Sequence, residues 1–88
     1  MTANCTAAEI NRAQHSIGAP TATALSSLCD PVHCEDREYM MSLVTKMQAA
    51  MDASEGMVSR SKKANGFFNS IRKTATVQIE KINALYAE

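Results

Sequence analysis

The fold of this chain is decided by residues 30–88, which read DPVHCEDREYMMSLVTKMQAAMDASEGMVSRSKKANGFFNSIRKTATVQIEKINALYAE. Proline interrupts this stretch only at its start, at Pro31. Aspartate caps helices and proline fits the first helical position, so Asp30-Pro31 predicts a turn or a helix start. Because no proline follows, the sequence predicts a long helical region over residues 35–88.

The apolar residues of this region have helical spacing. They recur from Tyr39 onward, become sparse over residues 54–66, and resume at Phe67. Two arrangements fit this pattern. One is a single long helix with a weak middle, and the other is a helical hairpin with its turn at residues 64–66, where Asn-Gly is a strong turn dipeptide.

A heptad of a and d positions that starts at Met40 runs through the same region. It places the polar residues Ser54, Ser61 and Gln78 on the seam. Polar seam positions argue against a dedicated coiled coil. The spacing therefore favours close packing of the helical region against several neighbours.

A shorter helix is predicted near the N-terminus. Thr6 and Glu9 have the spacing of a capping box, in which each residue accepts a hydrogen bond from the other's backbone N–H. Gly18 suits the position after a helix end and Pro20 cannot continue a helix, so we expect the helix to stop there. The sequence predicts one small all-α domain over residues 1–88, with a polar segment and short helix (1–20), a loop or short helix (21–34) and a long helical region (35–88).

The predicted core is thin. The 88 residues are 45% apolar, but they include no Trp and six Met. Alanine buries little area, and methionine fills gaps without fixing shape. Domains of this size are marginally stable even with good cores. We therefore expect the fold to be stabilised by assembly with copies of itself or with another helical protein.

Charge is sorted along the chain, although the net charge is zero. The acidic residues of the first part are Glu35, Asp36, Glu38, Asp52 and Glu55. The basic residues that follow are Arg60, Lys62, Lys63, Arg72 and Lys73. A rod with an acidic and a basic stretch can pair with its copies in a staggered way, and a contact that does not close produces a filament. An antiparallel dimer or a hairpin satisfies the same charges.

The segment Cys29–Cys34 brings two thiols, a carboxylate and an imidazole close together in sequence. A zinc site needs a second ligand pair at a comparable spacing, and that pair is missing. Nucleophilic catalysis needs a thiol, a base and an orienting group, and adjacency of His33 and Cys34 does not point their side chains together. The sequence predicts no catalytic, cofactor-binding or metal residues, and a protein that is not an enzyme.

Residues 60–73 combine the basic side chains with Phe67 and Phe68. Positive charge beside aromatic rings is typical of surfaces that bind single-stranded nucleic acid. The zero net charge argues against this function, and the acidic half of the region argues against a helix that lies on a membrane surface. At helical spacing the two phenylalanines are typical of packing residues.

The first residues contain neither the basic nor the apolar run of a Sec-type signal. No apolar run approaches the roughly 20 residues of a membrane-spanning helix. The sequence therefore predicts a protein that stays in the cytoplasm or is exported without a cleaved signal.

From about Leu25 to Ile82 the layout resembles the needle and inner-rod subunits of type III secretion systems. The resemblance is carried by the Asp30-Pro31 turn, by YMMSLV at residues 39–44 and by FNSIRKT at residues 68–74. It implies a short first helix, a proline-containing turn and a long C-terminal helix that packs into a helical filament around a channel.

The predicted function is assembly rather than catalysis, with the chain acting as a structural subunit of a secretion needle or rod. Self-assembly is expected to use an apolar helical stripe. The residues of this stripe are Leu43, Val44, Met47, Phe68, Ile71, Ile79 and Ile82. One alternative is a small helical adaptor or secretion chaperone that binds one protein partner through the same face. Another is nucleic-acid binding through residues 60–73.

Overall fold

The computed structural model describes residues 4–87, and its helices confirm the predicted all-α fold. In chain order the elements are β1 (Asn4–Cys5), α1 (Ala7–Leu28), α2 (Pro31–Cys34), α3 (Arg37–Ala53), β2 (Val58–Ser59) and α4 (Lys62–Leu85). The long helices α1, α3 and α4 pack against one another as a three-helix bundle.

The direction of each helix follows from the contacts at the two ends of the bundle. β1 and β2 pair in parallel, with Asn4 opposite Val58 and Cys5 opposite Ser59, so α1 and α4 begin at the same end. We call this the strand end. α2 connects the end of α1 to the start of α3. It lies at the other end of the bundle, which we call the α2 end. α3 is therefore antiparallel to both other helices.

The capping box at the start of α1 is confirmed. The N–H of Glu9 donates to Thr6 Oγ1 over 3.1 Å, and the N–H of Thr6 donates to Glu9 Oε1 over 3.3 Å. These two bonds satisfy amide groups that a helix N-terminus otherwise leaves without partners.

The predicted end of α1 at Gly18 and Pro20 is wrong, because the helix continues to Leu28. Proline in a helix interior costs about 3 kcal/mol, since it removes one hydrogen bond and crowds the preceding turn. The carbonyl that loses its partner belongs to Ser16, which is exposed to water. Burial of the residues that follow, including Thr21 and Ala24, outweighs this cost.

The predicted helix start at Asp30-Pro31 is confirmed. Asp30 is the N-cap of α2 and accepts the N–H of Val32 on Oδ1 over 2.9 Å, and Pro31 occupies the first helical position. Asp36 caps α3 in the same way by accepting the N–H of Tyr39 over 3.0 Å. Two aspartate caps thus redirect the chain within seven residues.

Within residues 35–88 the chain forms the helical hairpin that was one of the two predicted arrangements, but its turn was misplaced. The region is neither one helix nor a hairpin that turns at residues 64–66, because the connection lies at residues 54–61. Gly56 has φ 80°, a left-handed conformation that glycine adopts without strain. Asn65 lies in the first turn of α4, where its amide bonds both the N–H and the carbonyl of Ser59 over 2.7 and 2.6 Å. That side chain holds the connection against the helix instead of forming a turn.

One hydrophobic core fills the space between the three long helices. Its buried apolar residues are Ile10, Ile17, Ala24, Met40, Leu43, Met47, Phe68, Ala75, Ile79 and Ile82. Ser54 and Gln78, two of the polar residues on the heptad seam, are also buried. Ser54 Oγ donates to the carbonyl of Ala50 over 2.9 Å, whereas Gln78 Oε1 has no hydrogen-bond partner among the described residues.

The bundle is long and narrow. Its principal dimensions are 42 × 22 × 15 Å, and its radius of gyration is 14.1 Å. A compact domain of this length has a radius of gyration of about 12 Å. An elongated bundle exposes more helix surface per residue, and that surface carries the functional candidates.

Candidate functional site

The thiol and imidazole segment around α2 forms part of the bundle's structure. His33 Nδ1 lies 3.4 Å from Asp30 Oδ2, and its ring centroid lies 5.1 Å from that of Tyr39. The Cys34 thiol donates to the carbonyl oxygens of Ser27 and Leu28, both over 3.6 Å. Within residues 4–87, no three His, Cys, Asp or Glu side chains converge so as to hold a metal ion.

Hydrogen bonds of two tyrosines close the same end of the bundle. Tyr39 and Ser27 share a hydrogen bond over 3.2 Å that joins α3 to α1. The Tyr86 hydroxyl donates to the carbonyl of Cys34 and so joins the end of α4 to α2. Partial burial raises the pKa of Tyr86, and electrostatic interactions with Cys34 and Asp36 act in the same direction.

We expect the Tyr86 contact to weaken at alkaline pH. A raised pKa in the folded state means that folding favours the neutral phenol, which can donate to Cys34. This contribution is complete below about pH 10, the ordinary tyrosine pKa, and is lost as the pH rises through the higher folded pKa. Urea unfolding of wild type and Tyr86→Phe at pH 8 to 11 checks this. The stability advantage of the wild type should shrink at high pH, and a constant difference would contradict the assignment.

The apolar stripe predicted for assembly lies within the chain's own core. Leu43, Met47, Phe68, Ile79 and Ile82 are buried between the helices. Val44 and Ile71 are partly buried and pack against the same core. In this conformation the stripe holds one chain together, and its five buried members could reach a neighbouring subunit only if the bundle opened.

The predicted basic patch is divided in the structure. Arg72 is half-buried, and its Nη1 donates to the carbonyl of Met51 and to Ser54 Oγ, both over 3.0 Å. Its guanidinium also lies 5.6 Å from the centroid of the Phe68 ring. Arg72 therefore stabilises the fold by linking α4 to the end of α3. The basic side chains that remain exposed are Arg60, Lys62, Lys63 and Lys73.

Antiparallel packing changes how the charges are distributed in space. Glu35, Asp36 and Glu38 lie at the α2 end, and the exposed Arg60, Lys62 and Lys63 lie at the strand end. Asp52 and Glu55 follow the predicted acidic stretch in sequence, but the end of α3 brings them to the strand end as well.

Within residues 4–87, these charges have no ion-pair partner of opposite sign. Among the residues that the structure describes, no Lys or Arg forms an ion pair with an Asp or Glu, and the one contact of this type joins His33 to Asp30.

Phe67 is a surface candidate that the sequence did not separate from the core. It is 55% exposed, while the adjacent Phe68 is 2% exposed. The helical spacing could have distinguished them, because Phe68 shares the seam with Ala75 and Ile82 at intervals of seven residues. Other large apolar side chains that remain exposed are Leu25, Val32, Val58, Val77 and Leu85.

A groove lies between α1 and α3 near the strand end, with a volume of about 280 Å³. We call it the α1–α3 groove. Its apolar lining comes from Ala13, Ala50, Ala53 and Met57, its charged lining from Glu9 and Arg12, and its uncharged polar lining from Ser16 and Ser54. The groove depends on pairing of two distant helices, so no single sequence pattern signals it.

Comparison with protein-family models, with curated proteins and with solved structures found no match to the chain. Among residues 4–87, none of the helices combines the length and the apolar character needed to cross a membrane. The function is therefore inferred from the surface of the bundle.

Proposed function

We propose that this chain is a non-enzymatic structural subunit that associates with copies of itself. The observation that supports this most is the unpaired charge on a narrow bundle. Glu35, Asp36 and Glu38 at the α2 end are separated from Arg60, Lys62 and Lys63 at the strand end by much of a molecule 42 Å long. Asp52 and Glu55 also lie at the strand end. Within the described residues, neither group has an ion-pair partner of opposite charge in the same chain.

Exposed charges of this kind determine the register of an interface more than they contribute to its affinity. An exposed ion pair contributes about 0.2–1 kcal/mol and weakens with salt, whereas charge complementarity selects orientation and speeds encounter. Most of the affinity must therefore come from apolar contact. Since the predicted stripe is used in the core, the exposed apolar side chains are the groups that could supply it.

We extend the proposal to a helical secretion filament of the needle or rod type. An elongated helical bundle with unpaired charged groups at both ends is suited to contacts that repeat in one direction. A single-partner adaptor would use the same exposed surface but would give a complex of fixed stoichiometry. The two functions differ in whether the particles are open-ended.

Light scattering and negative-stain microscopy of the purified protein test the proposal. We expect mass to rise with concentration and open-ended particles to form. A protein that is well folded and monomeric at high concentration would exclude self-assembly. A discrete complex with one other protein would favour the adaptor.

Charge reversal tests the role of the strand end. We expect the double variant Lys62→Glu/Lys63→Glu to assemble about tenfold more weakly at low salt, because two exposed pairs become repulsive. The matched control is Lys46→Glu/Lys73→Glu, which reverses two exposed lysines away from that end. Concentration-dependent light scattering at two salt concentrations measures both. Equal losses in the two variants would show that total charge, and not the strand end, controls association.

A further inference from the structure

The α1–α3 groove has room for a large side chain. At about 280 Å³ it lies at the lower limit of the roughly 300–1,000 Å³ of sites that hold small-molecule ligands. Alanine and methionine supply half of its lining, and the hydroxyl groups of Ser16 and Ser54 already donate to carbonyl groups of their own helices, so an apolar group can enter without leaving those hydroxyls unpaired. An aromatic ring from another protein matches both properties.

Phe67 supplies such a ring on the same molecule. It has the largest side chain of the exposed apolar residues, and it is 55% exposed. Aromatic side chains are enriched in the centres of protein interfaces. Phe67 belongs to α4, and no residue of α4 lines the groove.

The charged groups around these two features are complementary. Lys63 precedes Phe67 by four residues, so it lies beside that ring on the surface of α4. Glu9 and Arg12 both belong to the lining of the groove, and the exposed Asp52 and Glu55 adjoin the lining residues Ala53 and Ser54 in sequence, so acidic groups outnumber basic ones there. The capping bonds of Glu9 use Oε1, so its other carboxylate oxygen can meet a lysine.

We propose that Phe67 of one copy inserts into the α1–α3 groove of a second copy, with Lys63 facing Glu9 across the contact. The inference rests on the proposed self-association and names the apolar contact that drives it. The ring and the groove belong to different surfaces of the bundle. The contact is therefore heterologous, and each copy can donate a ring on one side and receive one on the other.

Two variants remove opposite halves of the contact. Phe67→Ala removes the ring and leaves the groove, whereas Ala53→Gln fills the groove with an uncharged side chain and leaves the ring. Both positions are exposed, so the fold should tolerate the changes, and circular dichroism checks this. If Ala53→Gln fails to fold, Ser16→Gln on the α1 side of the groove takes its place.

Light scattering and analytical ultracentrifugation measure the effect. We expect each variant to need at least about 30-fold more protein to assemble than the wild type, the loss typical of a central interface residue. A mixture of the two variants retains one complete contact per pair, so it should form 1:1 dimers and nothing larger. Leu85→Ala is the matched control, since it truncates an exposed apolar residue at the other end of α4 and should change assembly less than about twofold.

The outcomes separate this inference from the proposed function. If the wild type assembles but Phe67→Ala assembles equally well, or if the mixture forms no dimers, the Phe67 contact is wrong and self-association stands. If the groove binds an unrelated protein in preference to a second copy, the contact is also wrong. If the folded wild type stays monomeric at every concentration, both are wrong.

Discussion

Phe68→Ala is expected to lower the free energy of unfolding by about 3–5 kcal/mol, the usual cost of truncating a buried phenylalanine. Phe68 is 2% exposed and belongs to the core between the three long helices. A domain of 88 residues has a total stability of about 4–13 kcal/mol. The variant should therefore melt roughly 15–30 °C below the wild type. Thermal and urea unfolding followed by circular dichroism measure the loss.

The adjacent Phe67 is the matched control for this prediction. Phe67→Ala makes the same chemical change at a position that is 55% exposed, so it should alter stability by less than about 0.5 kcal/mol. The two variants should also separate stability from assembly, because only Phe67 is available to a neighbouring copy. Equal destabilisation by both changes would mean that α4 packs in another rotation.

The fate of Phe68 shows what helical spacing could predict. The spacing identified the apolar seam of the second half, including Leu43, Met47, Phe68 and Ile82, and these residues do lie on one face of each helix. It could not show which surface covers that face. A seam packed by the same chain and a seam packed by another copy have the same period.

The sequence patterns did not predict the full length of α1. With α1 ending near Gly18, the second half would have had little to pack against, and a partner was needed. The helix extends ten residues further, to Leu28, and covers the seam from within the chain. Gly18 and Pro20 do destabilise the helix, but burial of α1 against α3 and α4 outweighs a cost of about 3 kcal/mol.

The turn between α3 and α4 was misplaced for a related reason. Asn65-Gly66 is a strong turn signal in isolation, yet Ser61 caps α4 and accepts the N–H of Ala64 over 3.2 Å. Asn65 then uses its amide on Ser59, six residues earlier. The turn forms at Gly56 instead, where the backbone has a positive φ. A dipeptide pattern cannot show that a side chain will hydrogen-bond to a residue outside the predicted turn.

The surface candidates were the least predictable part of the molecule. The basic residues were identified from the sequence, but the internal role of Arg72 was not, because its partners lie 18 and 21 residues away. The α1–α3 groove requires two helices to meet near the strand end. Exposure of Phe67, in contrast, follows from its position one residue off the heptad seam and could have been predicted.

Arg72→Ala is expected to lower the free energy of unfolding by about 2–3 kcal/mol. α3 has no basic residue in its last turn, and helix ends leave carbonyl groups without partners. Arg72 reaches from α4 to the carbonyl of Met51 and to Ser54 Oγ. Hydrogen bonds to charged groups contribute about 1.5–3 kcal/mol, and a cation at a helix C-terminus adds about 0.3–1 kcal/mol. Arg72 thus acts as the C-terminal cap of α3, supplied by another helix.

Lys73→Ala provides the control, because it removes the neighbouring cation from an exposed position and should change stability by less than about 0.5 kcal/mol. Arg72→Lys keeps the charge but cannot reproduce the planar guanidinium, so it should recover only part of the loss. Urea unfolding of the three variants tests this order. Because Arg72 is half-buried, added salt should reduce its contribution less than it reduces that of an exposed ion pair. A fully stable Arg72→Ala variant that binds nucleic acid more weakly than the wild type would instead return Arg72 to a basic binding surface.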